Sequence, residues 1–93
     1  RLDSAKRQIL VGEHPLILTA TEYQILELLL RHAGDVVSKE DLSQLALGKR
    51  LQLYDRSLDM HISNIRKKIA QYDEGEKIQT LRGLGYVLLE GEQ

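Results

Sequence analysis

The stretch RSLDMHISNIRKKIAQY, residues 56–72, carries apolar side chains at a spacing that suits only a helix. They recur at intervals of four, three, four and three residues, and so lie in one narrow sector of a helical wheel: Leu58, Ile62, Ile65, Ile69 and Tyr72. This stripe predicts a helix with one buried face. The opposite face has no acidic residue at its centre and carries Arg56, Met60, Ser63, Asn64, Lys67 and Gln71.

A second helix is predicted upstream, where the chain reads LTATEYQILELLLRHAGD. Thr19 and Glu22 have the spacing of a capping box, in which each side chain satisfies a free backbone donor of the first turn. The apolar residues that follow predict a helix over Ala20–Ala33, and Gly34 can end it in a left-handed conformation.

A shorter helix is predicted between these two. Ser38, with Asp41 three residues on, offers another capping arrangement, and KEDLSQLALG forms a short helix that Gly48 closes. KRLQLYD then follows as a connecting loop.

Extended segments stand at both ends of the chain. Ile9–Val11 and Leu16–Leu18 flank the turn Gly12–Pro15 and predict a small antiparallel sheet. Near the C terminus, Ile78–Leu81 and the run from Tyr86 to Leu89 are joined by RGLG, which predicts a hairpin whose glycines permit a tight reversal.

Length and composition fit one small domain of 93 residues with an aliphatic core. Because there is no Cys, a disulfide framework and thiolate chemistry are excluded. No run has the length of a membrane helix, and we expect a fragment of a soluble, cytoplasmic protein. The net charge is −1, but residues 49–86 hold eight basic and five acidic side chains, which makes this segment locally positive.

An enzyme is not expected. The three histidines, His14, His32 and His61, have no second histidine or carboxylate at metal-ligand spacing, so neither a metal nor a cofactor is predicted. Asp59 and His61 are two residues apart on a helix and point in different directions. The glycines of RGLGY precede a strand, which removes the helix N-terminus that a nucleotide loop needs.

The third helix in chain order, residues 56–72, carries side chains suited to contacting DNA bases and phosphates. Ser63 and Asn64 are short hydrogen-bonding side chains on a face otherwise dominated by cations. An asparagine can pair with adenine in the major groove, while arginine and lysine neutralise phosphates. Arg82, at the tip of the following hairpin, can reach an adjacent minor groove.

Four ordered stretches resemble one known family, the winged-helix effector domains of OmpR/PhoB-type response regulators: LTATEYQILELLL, GDVVSKEDL, YDRSLDMHISNIRKKI and QTLRGLGYVL. The resemblance implies an α+β fold, a winged helix-turn-helix with a four-stranded N-terminal antiparallel sheet, three helices and a C-terminal β-hairpin wing. It also implies an upstream receiver domain and a sensor histidine kinase above it.

The same resemblance implies roles for individual residues. The third helix and the wing would read bases through Ser57, Asp59, Ser63, Asn64 and Arg82. Contacts to the DNA backbone would come from Arg56, His61, Arg66, Lys67 and Thr80. The loop before the third helix would face RNA polymerase through Lys49, Arg50, Leu51, Gln52, Leu53 and Tyr54.

One departure from the family matters for the target. Many members carry arginines where this chain has Ser63 and Asn64, so its base preference cannot be transferred from an arginine-reading relative. The expected partner is double-stranded DNA with direct-repeat half-sites, to which the protein binds as a dimer. A membrane partner is not expected. The alternative is a winged helix that binds only protein, with the polar face of its third helix against an acidic surface.

Overall fold

The computed structural model describes residues 2–3, 8–47, 57–73 and 77–89, with backbone alone at 2, 3, 46, 47 and 57. In chain order its elements are β1 Leu2–Asp3, β2 Gln8–Val11, β3 His14–Pro15, α1 Ala20–Arg31, β4 Val37–Ser38, α2 Lys39–Leu42, a π-helical turn Ser43–Leu47, α3 Ser57–Ala70, β5 Ile78–Leu81 and β6 Gly85–Leu88. The predicted α+β winged-helix architecture is confirmed.

The N-terminal sheet is antiparallel, with β2 paired to both β1 and β3. Gly12, at φ 62°, makes the reversal between β2 and β3 inside the predicted turn. The predicted second strand, Leu16–Leu18, is wrong, because His14 and Pro15 already pair with β2 directly after a two-residue turn, and residues 16–18 lie outside the strands. The family resemblance implies four strands, whereas the described residues contribute three.

Helix α1 begins with the predicted capping box. The backbone N–H of Thr19 donates to Glu22 Oε1 and that of Glu22 donates to Thr19 Oγ1, each at 3.1 Å. The helix ends at Arg31, two residues before the predicted Ala33, because the last amides shift to carbonyls three residues back. Gly34 is left-handed at φ 88°, and its N–H donates to the carbonyl of Leu88 in β6.

The second helical segment is less regular than predicted. The hydroxyl of Ser38 caps it by accepting from the N–H of Asp41 at 3.0 Å. Regular α-helix covers only Lys39–Leu42, and the chain continues as a π-helical turn to Leu47. Gly48 lies outside the described residues. Ser43, at the junction, is 1% exposed, and its hydroxyl has no hydrogen-bond partner in the described part of the chain.

The wing is part of a three-stranded sheet in the order β4-β6-β5. The sequence predicts the hairpin but not β4. The two glycines of the hairpin have different roles, since Gly83 is left-handed at φ 75° and forms the turn. Gly85 pairs with Ser38, and a Cβ there would lie 2.1 Å from the carbonyl oxygen of Val37. Gly85 therefore permits the close approach of β4.

The core joins α1, α3 and both sheets, and the predicted α3 stripe is buried at Leu58, Ile62, Ile65 and Ile69. Tyr72 is the exception, because α3 ends at Ala70 and the ring is 47% exposed. It stacks on His14 with ring centroids 4.5 Å apart, which joins the N-terminal sheet to the end of α3. Within the described ranges, no helix is long and apolar enough to cross a membrane.

Candidate nucleic-acid interface

The solvent face of α3 is lined by exposed side chains. Met60, Ser63, Asn64, Lys67 and Gln71 are all exposed. In the part of the chain that the structure describes, Ser63, Asn64 and Lys67 make no side-chain hydrogen bond or ion pair. We call Ser63, Asn64 and Lys67 the open face of α3. Their donors and acceptors are available to a ligand.

On the flank of α3 that faces the wing, Arg66 donates hydrogen bonds to the wing. Its Nε and Nη2 donate to the carbonyl of Ile78 at 3.2 and 2.9 Å, and Nη2 also donates to Thr80 Oγ1 at 2.7 Å. Both acceptors lie on β5, an edge strand of the wing sheet. Arg66 and Thr80, both predicted to contact the DNA backbone, are therefore bonded to each other in the free domain.

Asp59 lies on the same flank and is also engaged. The phenol of Tyr86, a residue of β6 that is 3% exposed, donates a short hydrogen bond to Asp59 Oδ1. Lys39 Nζ lies 3.8 Å from the same oxygen. Burial raises the pKa of Tyr86, and the hydrogen bond and charge of Asp59 raise it further, against a smaller lowering by Arg66. The phenol is therefore a proton donor at neutral pH.

The opposite flank of α3 faces α1 through an ion pair. Lys68 Nζ lies 2.5 Å from Glu22 Oε1, the oxygen that also accepts from the capping N–H of Thr19. Glu22 is 3% exposed. Burial works to raise its pKa, but the hydrogen bonds from Lys68 and Thr19 and the charges of Lys68 and His61 outweigh it, so the pKa of Glu22 is lowered. His61 is half-buried on this flank.

The wing tip presents Arg82 to solvent. Its side chain is exposed and makes no hydrogen bond or ion pair with the described residues. The backbone around it is fixed, since the N–H of Leu84 donates to Leu81 at 2.9 Å and that of Lys39 donates to the Leu84 carbonyl at 3.3 Å. The exposed guanidinium of Arg82 thus lies on a hairpin turn whose backbone is fixed by two hydrogen bonds.

The remaining predicted residues fall outside what the structure describes. Ser57 begins α3, but its side chain is not described. Arg56 and the predicted polymerase-contact loop, Lys49–Tyr54, lie outside the described residues. Sequence reasoning missed Lys39 and Tyr86 as members of the site. A tyrosine in an otherwise apolar strand does signal a hydroxyl that needs a partner, although not which one.

Comparison with known proteins decides the family. The model of the family described as "Transcriptional regulatory protein, C terminal" matches residues 13–88, which is most of the chain. The chain belongs to this family. Members of this OmpR/PhoB-type family are DNA-binding domains of transcription regulators, and it is not a family of enzymes.

Individual relatives within the family are similar over nearly the whole domain. The transcriptional regulatory protein CpxR of Klebsiella pneumoniae is 52% identical over 75 residues, which are 80% of this chain and 32% of that protein. The CpxR protein of Escherichia coli is 45% identical over 95% of this chain and 38% of its own length. The chain thus spans about a third of the length of the curated relatives it matches.

Solved structures of the family share the fold. The DNA-binding domain of CpxR from E. coli superposes with a TM-score of 0.85 at 44% identity, over 95% of this chain and 87% of that one. The RstA DNA-binding domain of Klebsiella pneumoniae, solved in complex with the RstA box, gives a TM-score of 0.83 at 29% identity, over 95% and 88% of the two chains.

Proposed function

We propose that this chain binds double-stranded DNA in a sequence-specific manner, as the effector domain of a two-component response regulator that controls transcription. The observation that carries the proposal is the open face of α3, whose polar side chains are exposed and have no hydrogen-bond or ion-pair partner among the described residues. A family member of the same architecture was solved on its DNA box, which supports DNA as the ligand.

In the proposed complex, α3 lies in the major groove. Asn64 supplies a donor and an acceptor side by side, which match the adenine edge, and Ser63 can bond to any base. Lys67 is a cation on the same face and contacts a phosphate. Because all three lack a partner among the described residues, binding breaks no hydrogen bond within that part of the domain.

The wing completes the proposed contact from the adjacent minor groove. The guanidinium of Arg82 is solvated in the free domain, and a narrow A·T-rich groove concentrates the negative potential that attracts it. On the strength of the family resemblance alone, Ser57 is assigned to a base contact, and Arg56 and His61 to backbone contacts.

The proposal for the whole protein follows from the relatives, which are about two and a half times as long as this chain. We assign to the full-length protein a receiver domain, a sensor histidine kinase as the upstream partner, and a cytoplasmic location. On DNA we propose a dimer on direct-repeat half-sites, with Lys49–Tyr54 facing RNA polymerase.

The first experiment measures binding to duplex DNA at several salt concentrations. The probe is a duplex selected by the domain from a random library, and the readout is fluorescence anisotropy. If four or five phosphates are contacted, the logarithm of the affinity falls with the logarithm of salt with a slope of about −4. A flat salt response, or no selected sequence, would contradict DNA binding and favour the protein-only module.

A pair of variants separates reading from charge. Asn64→Ala should cost about 1 to 3 kcal/mol on the selected duplex and little on a scrambled one, whereas Lys67→Ala should weaken both alike. Arg31→Ala is the matched control, since it removes an exposed cation from α1 and should change neither affinity. Equal loss of specificity in Asn64→Ala and Lys67→Ala would remove the open face as the reader.

The wing is tested by Arg82→Lys and Arg82→Ala on two duplexes that differ only beside the α3 site. Both variants should lose affinity, because a strongly hydrated ammonium cannot replace a planar, weakly hydrated guanidinium in the groove. The loss should be larger beside an A-tract than beside a G·C-rich flank. Wild-type affinity in Arg82→Ala on both duplexes would exclude the wing.

A further inference from the structure

The free domain joins α3 to its wing at two places on one flank. Asp59 and Arg66 are seven residues apart, which is two helical turns, so they lie on the same side of α3 about 10 Å apart along its axis. Asp59 accepts from Tyr86 of β6, and Arg66 donates to Ile78 and Thr80 of β5. Each strand of the hairpin is therefore attached to α3 by its own residue.

Two separated attachments fix an orientation, which a single attachment cannot do. Pairing with β4 and burial in the core hold the base of the hairpin. The Arg66 bonds tie it to α3 at one point, and the Tyr86 hydroxyl adds a second point that limits its rotation against α3. The residues to be oriented lie just beyond it, since Thr80 pairs with Tyr86 across the hairpin and Arg82 follows two positions later.

The Tyr86 ring is also the meeting point of three elements. Lys39 Nζ of α2 lies 5.8 Å from the ring centroid and the Arg66 Cζ of α3 lies 5.9 Å from it, both within the range of cation–π attraction. Lys39 in addition approaches the Asp59 carboxylate. The aspartate is thus held between a phenol and an ammonium, and one of its oxygens is already occupied.

We propose that Asp59 and Tyr86 are positioning residues of the DNA-binding site, which set the angle between α3 and the wing so that Arg82 enters the minor groove while the open face reads the major groove. This inference rests on the proposed DNA binding. It gives Asp59 a different role from the base-reading role that the family resemblance implies. A contact residue must be held close to its productive geometry by neighbours that lock it, and this pair does so for Arg82.

The test removes the Tyr86 hydroxyl and determines whether the resulting loss of DNA affinity depends on Arg82. Binding of wild type, Tyr86→Phe, Arg82→Ala and the double variant is measured on the library-selected duplex. Because the wing then loses its second attachment to α3 and Arg82 is no longer held in its binding orientation, Tyr86→Phe should weaken binding about tenfold. In the Arg82→Ala background the same substitution should cost less than about twofold. Additive losses would overturn the proposal.

Variants at Asp59 give an independent arm. Asp59→Asn keeps an oxygen that can accept from the Tyr86 phenol and should retain most of the affinity, while Asp59→Ala should behave like Tyr86→Phe. If Asp59 instead reads a base, Asp59→Asn should change the selected sequence and Tyr86→Phe should not matter. Tyr23→Phe is the matched control, because it removes a phenol from a similarly buried residue of α1, at 7% exposure, and should leave affinity unchanged.

A measurement on the free domain separates this inference from the proposed function. Residual dipolar couplings of backbone amides report the orientation of β5 and β6 relative to α3. In Tyr86→Phe and Asp59→Ala, the hairpin couplings should no longer fit the wild-type orientation, whereas in Tyr23→Phe they should. Unchanged couplings would overturn the positioning role even if DNA is bound. Absence of any selected duplex would reject the proposed function while the couplings still decide the positioning.

Discussion

The two flanks of α3 are anchored to the rest of the domain by different chemistry. Toward α1, Lys68 is paired with the buried carboxylate of Glu22. Toward the wing, Arg66 binds a carbonyl and a hydroxyl that do not titrate, and Asp59 accepts from a phenol. The α1 attachment therefore depends on a charge that acid removes, whereas the Arg66 attachment depends on geometry.

The difference matches what each neighbour supplies. Helix α1 offers a carboxylate at its first turn, where the capping box already holds it in place. The wing offers the backbone of an edge strand, which needs donors, and a guanidinium supplies several in a fixed fork. The two attachments should consequently fail under different conditions.

The largest expected effect is on the wing side, where β6 packs against β4. Gly85→Ala should cost about 3 kcal/mol of unfolding free energy, because the new methyl would overlap the Val37 carbonyl and the strands must separate. Gly83→Ala is the control at the same hairpin, with nothing within 4 Å of a Cβ, and should cost about 1 to 2 kcal/mol for its left-handed backbone. Urea denaturation measures both. Equal losses would show that β4 does not constrain the wing.

The next effect in size comes from the Arg66 attachment itself. Arg66→Ala should cost about 2 kcal/mol, since it removes the donors that serve Ile78 and Thr80. Lys67→Ala, one position along the helix but without a partner in the described residues, should stay within about 0.5 kcal/mol of wild type. Thermal unfolding of the two variants gives the comparison. A stable Arg66→Ala would mean that the Arg66 bonds do not hold the wing.

Acid separates the Lys68–Glu22 pair from the Arg66 bonds, with a smaller effect. Because the pKa of Glu22 is lowered in the folded domain, its contribution is present above the ordinary value of 4.5 and is lost as pH falls through the folded pKa. Glu22→Gln should therefore be less stable than wild type at pH 7, and this difference should shrink toward pH 3. The stability deficit of Arg66→Ala should remain across the same range. Melting temperatures of the three proteins, measured in steps of pH, would refute this if the two deficits changed together.

The smallest expected change in stability comes from Ser43, which lies away from both flanks of α3. The hydroxyl of Ser43 is buried and has no hydrogen-bond partner among the described residues. Ser43→Ala should leave the domain as stable as wild type or raise its stability by up to about 1 kcal/mol, because a desolvated hydroxyl is removed. A clear loss in the unfolding free energy would indicate a partner for the hydroxyl in solution.

Local features of the fold were predictable because their causes lie within a few residues. The capping box of Thr19 and Glu22, the reversal at Gly12 and the buried stripe of α3 all follow from spacing alone. Two predictions were wrong: the end of α1 at Ala33 and the burial of Tyr72. A periodic pattern does not mark where the last turn tightens or where a helix stops.

Long-range features were not predictable in this way. Nothing within Val37–Ser38 indicates that these residues pair with Tyr86 and Gly85, so β4 and the second role of Gly85 became visible only in the folded chain. The contacts of Asp59 and Arg66 with the wing were likewise not predictable from the sequence. A helical wheel places them on a flank but does not show that the wing occupies that flank. The roles predicted for Ser63, Asn64, Lys67 and Arg82 stay predictions, although the structure leaves all four side chains exposed.

The open face has a consequence for how such domains diverge. Its side chains contribute no hydrogen bond or ion pair to the described fold, so substitutions there should cost little stability. Selection can then replace Ser63 or Asn64 one at a time without a compensating change elsewhere. On the proposed function, a duplicated copy of this gene could acquire a new operator by point mutation, while α3 remained seated on an unaltered scaffold.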